Sequence, residues 1–396
     1  LCLAAIFFLF IGGCGEDDPG APDPIVGSVV VNPSPDILNA PWILSGPNSY
    51  NKSGAGDISL TGLSVGEYTL VWGDVVDYVT PSESTQTLVA DGTITFSGTY
   101  EIDPVVPDGF VFIPPTSVSM PATFSMGSAL EPDETTHQVT LTDRFIMAST
   151  EVTNAQYVAA LQWAYSQGHI SATTSSVRDN LDGSTEELLD LNYSFCQISF
   201  SGGVFSTSNP DRPVVAVSWY GSASYCDWLS LQYGLPRAYD HGTWSCNSGN
   251  PYTALGYRLP TEAEWELACR AETTTRFNTG DCLDSETEAN YLGGNHQFDC
   301  PLGPSLNNTT DVGSYLANQW GLFDIHGNVW EWCNDWYGVY NGDGTDPEGV
   351  GSGSNRVLRG GSWSSTASYC RSAKRSNTGP NYVFNSYGFR PVRTTQ

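Results

Sequence analysis

The chain has 396 residues, enough for two or three domains and a sizeable core. Its 43 acidic and 15 basic residues give a formal charge of −28; with so few Lys and Arg, nucleic acid is disfavoured as a partner, whereas divalent cations and plain solubility both suit an acidic surface. Only 15 % of residues are charged, 12 % are aromatic and 41 are Gly, a composition that argues against a helical bundle or a disordered chain and predicts a compact, loop-rich globule.

Residues 1–13 (LCLAAIFFLFIGG) form an apolar run too short to span a bilayer comfortably but of the length of a secretory signal core. Ile11-Gly12-Gly13-Cys14 resembles a bacterial lipoprotein lipobox, in which Cys14 would be lipidated and become the mature N-terminus. With no initiator Met and no basic segment ahead of it, the chain is expected to begin inside its signal. A plain cleaved signal with an incidental Cys is the alternative; small residues directly before the thiol favour lipidation. Residues 15–26 then read as an acidic, flexible linker.

Residues 27–102 carry short β-rich runs (27–31, 58–63, 66–72, 88–89 and 93–100) between Pro, Gly, Asn and Ser turns, which predicts a small all-β sandwich. Leu60, Leu63, Gly66 and Tyr68 are spaced as in PEGA or carboxypeptidase-regulatory modules, a loose resemblance that implies a spacer or adhesion role. Residues 103–108 (DPVVPD) are a Pro-punctuated linker, and a third region runs from 109 to 396. In it, residues 138–141 read as a strand. Thr153-x-x-Gln156 is a capping box opening a helix to about Tyr165. Residues 167–208 show no firm pattern and read as a surface insertion. Residues 213–218 read as a buried strand, with Ser218 capping a helix over 219–232. Thr261-x-x-Glu264 caps another helix, 262–271, where Glu262, Glu264 and Glu266 are explained by capping and solvent exposure. No helix is predicted beyond it.

Residues 321–337 (GLFDIHGNVWEWCNDWY) fit neither a helical nor a strand period and read as a wound loop that presents oxygen. Asp324 and Glu331 offer carboxylates, and Gly327 and Val329 can turn carbonyls inward. Calcium takes such a mixture of about 6–8 oxygens. An aromatic core segment with a Gly turn is the competing reading, and His326 reads as a satisfied packing residue.

Five blocks stand in one order: Glu151-Val-Thr-Asn-Ala-Gln-Tyr157; Val217-Ser-Trp-Tyr220 with Tyr225-Cys226; Tyr257-Arg-Leu-Pro-Thr-Glu-Ala-Glu-Trp-Glu266; Gly327-Asn-Val-Trp-Glu-Trp332; and Arg356-Val-Leu-Arg-Gly-Gly-Ser-Trp363. The last is completed by Cys370-Arg371-x-Ala373-x-Arg375 and Gly388-Phe-Arg390. Together they resemble the formylglycine-generating enzyme (sulfatase-modifying factor) family over about residues 109–393. The resemblance implies an α+β, C-type-lectin-like fold with little regular secondary structure, preceded here by the β-sandwich. It implies one calcium site at Asp324, Gly327, Val329 and Glu331. A second would begin at Asn290 and Tyr291, its remaining ligands falling where residues 299–310 do not align.

Family members oxidise a substrate cysteine to formylglycine with O₂ and copper(I) held by two thiolates five residues apart. The first of those positions is Ser365 here. The second is Cys370 when counted from Gly360-Gly361, but not when counted back from Arg371-x-Ala373-x-Arg375. A hydroxyl is too hard a ligand to replace a thiolate on Cu(I). Ser362 matches a substrate-facing serine, and the family cleft would be lined by Trp363, Tyr369, Arg371 and Arg375.

Apart from Cys2 and Cys14, eight cysteines remain, an even count that in an exported chain predicts disulfides. Cys282 and Cys300 bracket a Gly-rich loop and are expected to pair, and Cys370 is expected to bond Cys333 or Cys269. Two functions compete. One is an exported, lipid-anchored, calcium-stabilised scaffold that binds a protein, peptide or glycan at the cell envelope. The other is an oxidase acting on exported sulfatases, with Cys370 as its lone redox thiol and copper as cofactor.

Overall fold

The computed structural model describes residues 25–34, 40–73, 78–102, 106–115, 117–295 and 298–395. The signal-like run, Cys14 and the acidic linker up to residue 24 lie outside the described residues. The chain divides into two compact units, Leu1–Val105 and Val106–Gln396.

In the first unit, two sheets share one apolar core. Val26–Ser34 pairs antiparallel with Ile58–Ser64 on one side and parallel with Thr93–Thr99 on the other. The second sheet runs in the order Tyr50–Ala55, Pro41–Gly46, Gly66–Trp72, Ser84–Leu88, all antiparallel. Alternation along Val26–Ser34 buries Val29 and Val31, which meet Trp42, Leu44, Leu70 and Phe96. Strands Pro41–Gly46 and Tyr50–Ala55 escape the sequence reading because Pro41, Gly46, Pro47 and Asn48 look like one long turn. Pro41 is tolerated as the first strand residue, where its missing N–H breaks no ladder.

In the second unit the three predicted α-helices form where their caps are. Thr153 accepts from the Gln156 N–H and opens α1, Asn154–Ser166. Ser218 accepts from the Gly221 N–H and opens α2, Trp219–Gln232. Thr261 and Glu264 close a reciprocal capping box on α3, Glu262–Arg270. Residues 213–218 are buried as expected but are no strand: Ala216 adopts a left-handed φ of 61°, and only isolated bridges form at Pro213 and Val217. The patternless insertion is structured. It holds a three-stranded sheet (Ile170–Ala172, Ser176–Asp179, Glu187–Asp190) and a hairpin (Ile198–Ser201, Val204–Thr207). His241 ties that insertion to α2, its Nδ1 lying 2.7 Å from Asp179 Oδ2 and its Nε2 3.0 Å from Asp227 Oδ2.

A four-stranded sheet organises the remainder, in the order Ser376–Thr378, Arg356–Arg359, Trp330–Trp336, Tyr387–Gly388. Trp330–Trp336 is thus a strand and not a loop. Six of its seven residues are buried, so both faces are covered and no period-two pattern can show, and its pairing register with Arg356–Arg359 shifts between Trp332 and Trp336. Val392–Thr394 returns to pair with Phe145–Ala148, closing the unit near its own start.

With so little ladder, buried ion pairs fasten the loops. Arg258 grips Glu264 with two bonds of 2.7 Å, Arg375 grips Glu262 likewise, and Arg371 reaches Glu134 at 2.7 and 2.9 Å. Arg359 is hydrogen-bonded to Glu266, and Arg390 holds Glu331 at 2.7 and 2.8 Å. Glu262, Glu264 and Glu266 therefore point inward, each to a guanidinium, and not to solvent. Such forked pairs satisfy planar carboxylates geometrically, which is what allows charge to be buried here.

Candidate functional site

Residues 321–329 are wound by positive φ at Gly321, Asp324, Gly327 and Asn328. Short Asp and Asn side chains tolerate that region, whereas Gly327 is required sterically: a Cβ there would overlap the Asn290 carbonyl oxygen. That oxygen accepts from the Asn328 N–H at 2.8 Å, and the Gly327 N–H donates to Gly360 at 2.8 Å. The loop is thereby pinned between the Asn290 segment and the Gly360-Gly361 turn.

Hard oxygen gathers on this loop, much of it unsatisfied. Asp324 Oδ2 accepts from the Gly313 N–H at 2.5 Å, while its Oδ1 is buried without a hydrogen-bond partner. Asn290 directs its Nδ2 to the Asn308 carbonyl at 2.8 Å and leaves Oδ1 without a partner. Glu151, absent from the predicted site, accepts from Asn328 Nδ2 at 3.1 Å through Oε1 and leaves Oε2 without a partner. Burial, then Gly313 and Arg390 pulling down and Glu331 pushing up, leave the Asp324 carboxyl at about 6. Burial and the Asp324 charge raise Glu151 well above the usual carboxylate range. Glu331 differs: both of its oxygens already accept from Arg390, and Oε2 also accepts from Trp265 Nε1 at 2.8 Å. The Tyr291 carbonyl accepts from the Gly293 N–H at 2.9 Å. Among the described residues no three His, Cys, Asp or Glu side chains converge on one ion, so a cation would depend on amide and carbonyl oxygens as well. The orphaned oxygens of Asp324 and Asn290 fit calcium.

Beside the loop, Ser362 and Ser365 meet, and Cys370 packs against the turn that carries them. Ser362 Oγ lies 3.0 Å from Ser365 Oγ and 3.1 Å from Ser364 Oγ, and the Ser362 N–H donates to Ser365 Oγ at 3.1 Å. At Gly361, with φ 77°, a Cβ would stand 2.5 Å from Cys370 Sγ, so the thiol packs against bare backbone. Burial pushes this thiol up to about 12, against a smaller lowering by the Ser362 backbone. At neutral pH it is SH, with a hydroxyl where a second sulfur would be needed. These residues do not fit copper(I).

The disulfide expectation for Cys370 fails. Cys282–Cys300 is bonded, as expected, but Cys196, Cys226, Cys246, Cys269, Cys333 and Cys370 are free. Cys370 packs with Phe277 and Tyr291, whereas Cys269 and Cys333 face another cluster. His326 meets the Cys370 segment through its carbonyl, at 2.7 Å from Nδ1, and accepts from the Asn278 N–H at 3.1 Å through Nε2. Burial holds its imidazole down near 4, against the opposing Cys370 carbonyl, so it is the neutral packing residue expected.

Of the four expected cleft residues, two remain at the surface. Tyr369 is 49 % exposed and Trp363 half-buried, its Nε1 donating to Asn385 O at 3.2 Å. Arg371 and Arg375 are instead buried in the ion pairs above. From sequence alone a guanidinium in a motif reads as ligand-facing; the acids that claim these two, Glu134 and Glu262, lie more than 100 residues away.

Residues 100–395 match the sulfatase-modifying factor enzyme 1-like domain. The chain belongs to this family. Its fold is the α+β, C-type-lectin-like one expected, and Treponema denticola variable protein 1 superposes with a TM-score of 0.50 at 26 % identity, over 72 % of this chain and 94 % of that one. The formylglycine-generating enzyme of Streptomyces coelicolor is 35 % identical over 193 residues, 46 % of this chain and 53 % of the enzyme. Serine/threonine-protein kinase pkn1 of Chlamydia caviae is 32 % identical over 252 residues, 62 % of this chain and 32 % of the kinase. This sulfatase-modifying-factor chain thus spans about a third of that kinase and about half of that enzyme.

Proposed function

We propose that this sulfatase-modifying-factor domain is a non-oxidase binding or scaffold module, braced by calcium, on an exported protein anchored through a lipid at Cys14. The observation that carries the reading is the Ser362–Ser365 pair beside a neutral Cys370. Copper(I) asks for two soft thiolates, and this turn supplies one buried thiol and a hydroxyl already engaged at 3.0 Å. Trp363 and Tyr369 would remain as a surface for a protein, peptide or glycan at the cell envelope, and the acidic charge argues against nucleic acid.

Calcium would be held at Asp324, with the Gly327 and Val329 carbonyls and Glu331 beside it, and by Asn290 and Tyr291 in the adjoining segment. Orphaned oxygens on Asp324, Asn290 and Glu151 support this. Glu331 is the weakest member because Arg390 holds both its oxygens. Bound calcium would offset charge repulsion between the loop carboxylates and satisfy buried acceptors.

The competing reading, a formylglycine-generating oxidase, draws on the similarity to proteins of that name. A copper-loaded assay on a Cys-x-Pro-x-Arg peptide separates the two: no aldehyde is expected, and aldehyde formation at a catalytic rate overturns the scaffold reading. Metal analysis after dialysis, with thermal unfolding in chelator against millimolar calcium, tests the brace independently of activity.

A further inference from the structure

A cavity of about 240 Å³ opens between the N-terminus of α3 and the loop from Gly338 to Val350. Asp335 forms part of its wall and is only 5 % exposed. One carboxylate oxygen, Oδ2, accepts from the Glu262 N–H at 2.8 Å, satisfying one of the free donors that open α3. The other, Oδ1, has no hydrogen-bond donor among the described residues. It faces Gly349, another wall residue, where a Cβ would come within 2.8 Å of it. The glycine keeps open the space before that oxygen.

Arg375 and Arg356 offset its charge only in part. Arg375 also reaches this wall, but its fork is closed on Glu262 at 2.7 Å twice. Burial, and then the neighbouring Glu262 charge, hold the Asp335 carboxyl up at about 7. Met126, Ala263, Pro347 and Val350 supply apolar wall.

We propose that this cavity binds an alkylammonium group, with the cation against Asp335 Oδ1 and its methylenes along the apolar wall. An anion is excluded by the acidic lining. A guanidinium is disfavoured because its fork asks for two parallel oxygens and only one is free, whereas an ammonium is a point charge satisfied by one. The group's source is either a free amine or the lysine side chain of a peptide.

Calorimetric titration of the purified protein at pH 8 with n-pentylamine, Nα-acetyl-lysinamide and 1-pentanol tests this. Pentylammonium is expected to saturate at least tenfold more tightly than the isosteric alcohol. Acetyl-lysinamide binding as tightly or more tightly assigns the peptide source, and weaker binding the free amine. Asp335→Asn keeps an oxygen for the Glu262 N–H while removing the charge, and should weaken pentylammonium tenfold or more with little change for pentanol. Equal binding of amine and alcohol, no saturation by 50 mM, or an undiminished amine affinity in Asp335→Asn overturns the proposal. Should that variant fail to fold, the amine-to-alcohol ratio on the unaltered protein decides by itself.

Discussion

Arg390 offers the sharpest test of the ion-pair fastening. Its guanidinium is fully buried and donates to both Glu331 oxygens at 2.7 and 2.8 Å. It also donates to the carbonyls of Ala148, Ser149 and Phe323 at 3.2, 3.1 and 3.0 Å. Arg390→Met preserves the stem and removes the charge. Breaking a buried pair on one side costs about 3–5 kcal/mol, and orphaned carbonyls add about 1 kcal/mol each where water cannot reach them. Glu151 and Asp324 would also lose the cation that opposes the rise in both carboxyls. A loss of about 5 kcal/mol is therefore expected in chelator. Urea unfolding would be read by hydrogen exchange on peptides covering Trp330–Trp336, which reports this unit and not the sandwich. Glu331→Gln combined with Arg390→Met keeps an acceptor for Trp265 Nε1 and should recover at least half. Calcium should protect the single variant more than the unaltered protein, because the ion would take over the neutralisation. A loss below about 1 kcal/mol in Arg390→Met would refute the fastening argument, since a pair so cheaply broken is not desolvated.

Three further outcomes are expected. His241 is lowered by burial but raised more by Asp179 and Asp227, to about 9 from an ordinary 6.5. Its stabilisation should therefore be complete below about pH 6.5 and disappear as pH rises through 9; His241→Asn should lose far more urea resistance at pH 6 than at pH 9.5, and an equal loss at both refutes a charged imidazole. Alkylation under denaturing conditions without reductant should modify Cys196, Cys226, Cys246, Cys269, Cys333 and Cys370 but not Cys282 or Cys300, as read by peptide mass; a protected Cys370 would restore the disulfide reading. Gly361→Ala should destabilise by about 2–4 kcal/mol, combining overpacking with strain at a φ of 77°, and Cys370→Ala in the same chain should return part of that in thermal unfolding.

What could be read from the sequence was local. Three helix starts were legible because a cap is a four-residue signal: Thr153, Ser218 and Thr261 each accept from an N–H three residues on. The seven-residue strand beginning at Trp330 was illegible for the opposite reason, since a strand covered on both faces has no alternation to show. The His241 tie joins Asp179 and Asp227, 62 and 14 residues away, and nothing local announces such a contact. At the candidate site Ser362, Ser365 and Cys370 were singled out by the family resemblance, whereas Glu151 arrives from the start of another block and was missed.

This difference bears on how much chemistry the motifs can promise. Arg258, Glu262, Glu264 and Glu266 come from one block, Arg359, Arg371, Arg375 and Arg390 from another, and Glu331 from a third; in the structure they pair among themselves or with Glu134. Matching every block therefore secures the fold, because the charged residues of the blocks are what hold an irregular chain together. It secures no oxidase, because the two positions where the sulfurs would stand, Ser365 and Cys370, belong to none of those pairs. A copper pair there would depend on those two side chains alone. Ser365→Cys is consequently the variant that separates scaffold from chemistry: the fold should be indifferent to it. A gain of tight copper(I) binding would show that the missing sulfur was the whole obstacle. No gain would place the obstacle in the burial that holds Cys370 as a thiol at about 12.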